Sequence, residues 1–409
     1  VDAVASIDIR KPPSLNDANA LEHFEQAAAR MLPWREASGG SGRGVVVCGG
    51  GVKYLTCAWV CIHMLRYMRC RLPVELWHFG SREMPAEIAS LFEALGVTCV
   101  DAEVVRQKHP VRILNGWELK PFALLHSRFR EILLLDADNV VVADPTFLFD
   151  SPEFEQTGSI FWPDYSRLEP QRRIWSLTGV EYRDEPEFET GQLVIDKQRC
   201  WAALNLAMWM NEFSDFWYGH IHGDKETFHL AWRKLGQPYA MPERGIDSLD
   251  GTMCQHDFAG RRLFQHRNMA KWTLGDNAVV SGFFYEAECL HVLELIRGPL
   301  EALSGPKNSD PRLAVFFAGR TADYHRIGHD RRQISFDADG RIGVGSDRME
   351  RSWSARMRGK LAVLEIFGDD GLTASCSATP GQDDVWKGEW HIHERMPIVI
   401  SIQKQGAGQ

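Results

Sequence analysis

Between Val45 and Val100 the chain alternates apolar runs with helical patterns, and few folds accept that alternation. Val45-Val46-Val47-Cys48 reads as a buried strand and is followed by Gly49-Gly50-Gly51. A mostly apolar stretch from Tyr54 to Met68 reads as a helix buried on most sides. Pro73–Phe79 is a second strand, Pro85–Leu95 a helix, and Val97–Val100 a third strand. Strand, helix, strand, helix, strand predicts an α/β fold with a parallel sheet. Such sheets bind ligands beyond the carboxyl ends of their strands, where the triple glycine falls. Gly49 and Gly50 would let backbone approach a nucleotide, although the spacing is not a dinucleotide fingerprint. A loop that merely needs positive φ is the other reading of the same glycines.

The next strong signal is Glu131–Pro145, EILLLDADNVVVADP. Ile132–Leu135 predicts a buried strand that ends in Asp136 and Asp138, one residue apart. Carboxylates at the mouth of a buried strand are costly unless a cation sits on them, and hard divalent ions suit oxygen ligands. A solvated turn is the plain alternative for an isolated D-x-D. Lys120, ahead of Pro121 at a helix entrance, is poorly placed for the helix dipole unless an anion lies nearby. Further on, Glu189-Thr190-Gly191 precedes a strand at Gln192–Asp196, Gly223-Asp224-Lys225 opens a helix, and His266 precedes Lys271-Trp272. The excursion between Gly158 and Asp196 holds Trp162, Tyr165, Trp175 and Tyr182, candidates for an acceptor platform or for core and loop anchors. A second D-x-D, Asp337-Ala338-Asp339, runs into Gly340 and predicts a hairpin turn.

The expected organisation is an N-terminal helical extension over 1–43, a catalytic domain over 44–330 and a β-rich appendage over 331–409. A flexible link is expected at Ser38–Gly42. Trp386, Trp390, His391 and His393 leave the appendage two readings, glycan contact or a cap. A net charge of −9 over 409 residues argues against broad nucleic-acid binding and leaves room for a local basic pocket. Nine cysteines without a CxxC pair fit a reducing compartment, with Cys57 and Cys61 expected as core thiols. With no apolar run of about 18 residues, no membrane span is expected. The reading is cytoplasmic or peripheral to a membrane; a removed leader and the oligomeric state stay open.

Together these motifs resemble retaining GT-A glycosyltransferases. Their order is similar to that of the glycogenin-like family 8 enzymes. The stretch from Gly116-Trp117-Glu118-Leu119-Lys120-Pro121 to Asp138, with Glu189-Thr190-Gly191-Gln192, more closely resembles the MNN1-type α-mannosyltransferases of family 71. The resemblance covers about residues 44–290 and implies a GT-A mixed sheet, a Mn²⁺ or Mg²⁺ ion and a nucleotide-sugar donor. It implies Asp136, Asp138 and His266 as metal ligands. Gly49, Gly50, Lys120, Asp136, Gly191 and Lys271 would face the donor, and Glu189, Asp224 and Lys225 the reacting sugar. GDP-mannose with an α-linked product follows from the family 71 likeness, UDP-glucose or UDP-galactose from the family 8 likeness. A glycan would be the acceptor. A carbohydrate-binding protein without activity on the same fold and a nucleotidyltransferase are the competing readings. The first would have lost a metal ligand, and the second needs a basic glycine loop that Gly49–Lys53 only loosely echoes.

Overall fold

A computed structural model describes residues 14–31, 40–304, 309–369, 371–378, 384–391 and 396–403. Ser38 and Gly39 of the expected link, and His393, lie outside them. The chain divides into two compact units, one from residues 1–50, 57–272 and 278–292, the other from 51–56, 273–277 and 293–409.

The first unit is built on a six-stranded sheet of β1 (Arg43–Cys48), β2 (Val74–His78), β3 (Val97–Asp101), β4 (Glu131–Asp136), β6 (Ser159–Pro163) and β7 (Phe188–Asp196). The order is β3-β2-β1-β4-β7-β6. The first four strands are parallel, as the alternation demands, and β7 runs antiparallel to both β4 and β6. Cys48 pairs with Asp136, so the glycines after β1 and the carboxylates after β4 leave the sheet at the same level. β2 is buried along its whole length, and its one charge, Glu75, accepts hydrogen bonds from Trp77 Nε1 (3.1 Å) and the Arg128 amide (3.2 Å). Cys57 and Cys61 are fully buried on the helix Gly51–Tyr67, as expected of core thiols.

A smaller four-stranded sheet has the order β5-β10-β9-β8, from β5 (Asn139–Val141), β8 (Asp247–Leu249), β9 (Thr252–His256) and β10 (Arg262–His266).

Within this first unit, two boundaries differ from the sequence expectation. The helix Ala20–Met31 is no appendage: Phe24 packs edge-on against Trp217 (5.8 Å) and near Trp209 (6.2 Å) inside the main core. Its apolar stripe needed a partner, and the almost wholly buried helix Trp201–Glu212 supplies one. Glu189-Thr190-Gly191 also lies within β7 rather than before it, because Trp162 of β6 pairs with Glu189 across a bulge.

In the second unit, seven antiparallel strands run in the order β12-β11-β17-β16-β15-β14-β13: β11 (Arg320–Arg326), β12 (Asp330–Phe336), β13 (Ser352–Arg358), β14 (Leu361–Gly368), β15 (Gly371–Ala378), β16 (Val385–Trp390) and β17 (Met396–Ile402). β11 begins before residue 331, so the expected domain boundary falls inside this sheet. Bridges Phe336–Ile342 and Arg341–Ser352 link the two edge strands, β12 and β13. Trp386 and Trp390 are buried in its core beside Phe317 and Tyr324, so neither offers a face to a glycan. The Asp337–Asp339 segment is an exposed turn: the Asp337 amide donates to Arg341 O (2.8 Å) and Gly340 sits at φ +86°.

Candidate active site

β4 emerges from the core at Asp136, and after the two residues Ala137 and Asp138 the chain re-enters a sheet as β5. Asn139 of β5 pairs with His266 of β10, and the Arg267 amide donates to Asp138 O (3.0 Å). That ladder carries an imidazole from 130 residues downstream onto the acidic pair. His266 Nε2 stands 3.1 Å from Asp138 Oδ1 and 3.8 Å from Asp136 Oδ2. One ligand atom from each of Asp136, Asp138 and His266 falls within 4.8 Å of the others. Asn139 ties the arrangement to β7 by donating to Gly191 O (3.0 Å) and Gln192 Oε1 (2.7 Å).

The imidazole lies against Gly191. A Cβ there would stand 2.4 Å from His266 Nδ1 and 2.7 Å from Glu189 Oε1, so the position accepts only glycine. Gly191 therefore seats the histidine. Gly50 is likewise explained by a neighbour, since a Cβ there would meet Glu83 Oε2 at 2.3 Å, and the Gly49 amide bonds Trp77 O (2.9 Å). Close packing thus accounts for glycine at positions 50 and 191.

Lys120 is no surface lysine. It is buried on the helix Leu119–His126, with Nζ 2.9 Å from Asp136 Oδ1, 3.0 Å from Asp136 Oδ2 and 3.4 Å from Asp224 Oδ2. Burial works against its charge, but Asp136 and Asp224 outweigh burial and raise its pKa. Asp224 opens the helix Asp224–Leu235 and accepts from Thr190 Oγ1 (2.9 Å); burial, the largest influence, raises its pKa. Lys271 pairs with Asp138 Oδ2. Burial would raise the pKa of Asp138, but His266 and Lys271 overcome that and hold it well below the usual range. His266 moves the other way: burial disfavours the imidazolium, yet Asp138, Glu189 and Asp136 raise its pKa. The Glu189 carboxyl, 3.6 Å from His266 Nδ1, accepts from the Gly191 amide (2.7 Å), and burial raises its pKa.

Three of the expected residues are placed differently. Lys225 is engaged by Asp164 and, at 3.6 Å, by Glu187 Oε2, so its ammonium braces two carboxylates. Trp162 is fully buried, with Nε1 donating to His256 O (2.8 Å); β6 is interior to the fold, so it cannot be a platform. Trp175 carries the Arg233 guanidinium on its ring and donates to Glu169 O (2.9 Å), which makes it a loop anchor. Tyr165 is 56% exposed and stays available. Asn139, Asp164, Glu187 and Arg267 support the cluster without having been singled out in the sequence. Arg267 is fully buried over the Trp272 ring (3.8 Å) and bonded to Glu286 (3.0 Å). Only its place directly after His266 could have drawn notice.

The donor set fits a divalent ion. Two carboxylates and an imidazole suit Mn²⁺, and the ring nitrogen that His266 turns to Asp136 and Asp138 is Nε2. A parallel-cored mixed sheet with this acidic pair at the end of β4 has the architecture of the GT-A glycosyltransferases. Residues 42–187 and 180–266 match the model of the Mannosyl_trans3 family, described as mannosyltransferases, and the chain belongs to that family. The α-1,2-mannosyltransferase MNN24 of Candida albicans is 29% identical over 274 residues, 54% of this chain and 37% of that protein. MNN5 of Saccharomyces cerevisiae, also an α-1,2-mannosyltransferase, is 28% identical over 296 residues, 58% of this chain and 50% of that protein. The chain thus spans half or less of the length of these curated relatives. Among solved structures, galactosyltransferase LgtC aligns over 48% of this chain and 73% of its own, with 13% identity and a TM-score of 0.36. The bifunctional glycosyltransferase WbbM aligns over 49% of this chain and 38% of its own, also with 13% identity and a TM-score of 0.36. At such scores the structural likeness says nothing of substrate. Among the described residues no helix is long and apolar enough to cross a membrane.

Proposed function

We propose that this chain transfers mannose from GDP-mannose to a glycan hydroxyl, with retention, giving an α-linkage. The observation that carries this reading is the convergence of Asp136, Asp138 and His266 on one point, within a chain of a mannosyltransferase family. The likeness to α-1,2-mannosyltransferases favours a 1,2-linkage and favours mannose over the alternative donors, UDP-glucose and UDP-galactose.

Asp136, Asp138 and His266 would hold Mn²⁺ or Mg²⁺, which when bound would offset charge on the donor diphosphate. Lys271 and Lys120 are the chain's own cations beside these carboxylates. Lys271 is assigned to a diphosphate oxygen and Asp224 to the hydroxyls of the transferred sugar. As the bond from C1 to the diphosphate oxygen breaks, its electron pair leaves with the diphosphate. The acceptor oxygen bonds C1 from the same face, and its proton passes to the departing phosphate oxygen. No separate base is required, and the surrounding carboxylates favour the cationic sugar. Attack by Glu189 on C1, followed by its displacement, is the rival route to the same anomer.

Incubation with Mn²⁺, GDP-mannose and a mannoside acceptor, followed by NMR of the product anomer, tests the reading. An α-linked product, abolished by chelation, is expected. A β-linked product would overturn retention, and turnover of UDP-hexoses alone would select the alternative donor. Absence of both turnover and Mn²⁺-dependent binding with every nucleotide sugar would sink the enzyme reading.

A further inference from the structure

The chain carries fourteen tryptophans, and among those described Trp117 alone is strongly exposed, at 51%. A large apolar ring in water forgoes the stabilisation of burial, and one held there rigidly by its neighbours suggests a use. Trp117 is held firmly. Its carbonyl accepts the Lys120 amide (3.0 Å) in the turn that starts the Leu119–His126 helix. Its ring packs on Gly223, where a Cβ would stand 3.0 Å from Cε3 and 3.1 Å from Cζ3. Tyr218 braces it at 5.9 Å between ring centroids and is itself fixed by its hydroxyl, which donates to Asn211 Oδ1 (2.6 Å).

Both anchors of this ring lead into the candidate site. Lys120, one turn after Trp117, reaches Asp136 and Asp224, and Asp224 directly follows Gly223. The exposed indole therefore adjoins, through Gly223 and the first turn of the Leu119–His126 helix, the segments that carry the buried Lys120 ammonium and the Asp224 carboxylate, to which Thr190 Oγ1 donates. That combination matches a pyranose, whose C–H face is apolar and whose rim carries hydroxyls that both donate and accept.

We propose that Trp117 is a stacking platform for a hexopyranose ring at this site, either the transferred sugar or the acceptor sugar. The proposal rests on the sugar-transfer reading for its place in a reaction, but not for binding itself. It assigns a role to a residue whose motif neighbours alone had been given one. It also replaces Trp162 and Trp175 as the aromatic contact, since those two rings are committed to the interior and to Arg233.

Saturation-transfer NMR with methyl α-D-mannopyranoside needs no turnover. Wild type and Trp117→Phe should show contact to the pyranoside, and Trp117→Ala should lose it with an unchanged melting temperature. In kinetics, Trp117→Ala should raise one KM by about tenfold at nearly constant kcat, and Trp117→Phe should restore most of it. A raised acceptor KM places the acceptor sugar on the ring, and a raised donor KM with unchanged affinity for GDP alone places the transferred sugar there. Pyranoside contact in a wild type that turns over no donor would retain the platform and reject the transfer reading. Equal NMR contact and equal KM values in wild type and Trp117→Ala would overturn the proposal. So would a matching loss of affinity for GDP alone, which would mean that the indole holds the base.

Discussion

Asp136-Ala137-Asp138 and Asp337-Ala338-Asp339 are the same tripeptide in two settings. The first leaves a buried parallel strand and meets Lys120, Lys271 and His266, all from elsewhere in the chain. The second is an exposed turn whose Asp339 pairs with Arg341, two residues away. Burial makes the difference. In the interior a carboxylate must find cations, and the fold spends distant residues on supplying them. In water the same carboxylate is stable as it stands, and local backbone bonds settle its shape.

The largest effect should come from Asp138→Asn, which removes charge while keeping shape. Transfer should fall by at least about 10³-fold and Mn²⁺ binding should be lost, with the far-ultraviolet dichroism intact. An active variant would erase the contrast between the two tripeptides, and an unfolded one would make the aspartate structural.

Lys120→Met should come next. Removing the cation leaves Asp136 and Asp224 facing each other in a buried space, at about 3 kcal/mol of stability by urea denaturation at pH 7. A loss under about 1 kcal/mol would mean that this pair is solvated like an ordinary surface pair.

Glu226 sharpens the comparison because it is buried like Asp138, yet its Oε2 has no hydrogen-bond partner and burial pushes its pKa up to about 7 from 4.5. A raised carboxyl favours the folded state in its protonated form. The stability it contributes is complete below about pH 4.5 and is lost as pH rises through about 7. Relative to wild type, Glu226→Gln should gain up to about 3 kcal/mol between pH 4.5 and pH 8 in urea titrations. A difference independent of pH would show that the carboxyl titrates normally.

The smallest effects belong to the exposed turn. Asp339→Asn should leave both activity and the urea midpoint unchanged, and Gly340→Ala should cost about 1 kcal/mol through its positive φ. Loss of transfer in Asp339→Asn would give the second tripeptide a role that its exposure denies.

Much of the sheet was readable in advance because its strands are buried on both faces. Runs such as Val45–Cys48 and Ile132–Leu135 then carry the pattern without interruption. The turn at Asp337–Gly340 was equally readable, since its cause is local. The depth of Trp162 was not: β6 is an edge strand of its sheet, and Trp162 is buried by packing against Phe264 and bonding to His256 O from far along the chain. The entry of Ala20–Met31 into the core was equally hidden, because an amphipathic stripe does not name its partner.

The family resemblance joined Asp136, Asp138 and His266 as candidate ligands, while from its order of residues alone this chain set the parallel core and the place where β4 must end in charge. These depend on periodicity and on residue chemistry, which act over a few positions. The tertiary structure decided which glycine seats the imidazole, which lysines brace carboxylates and which tryptophan keeps an open face. Those outcomes follow from strand register and helix packing, which join residues more than a hundred positions apart, and a local pattern carries no record of such pairings.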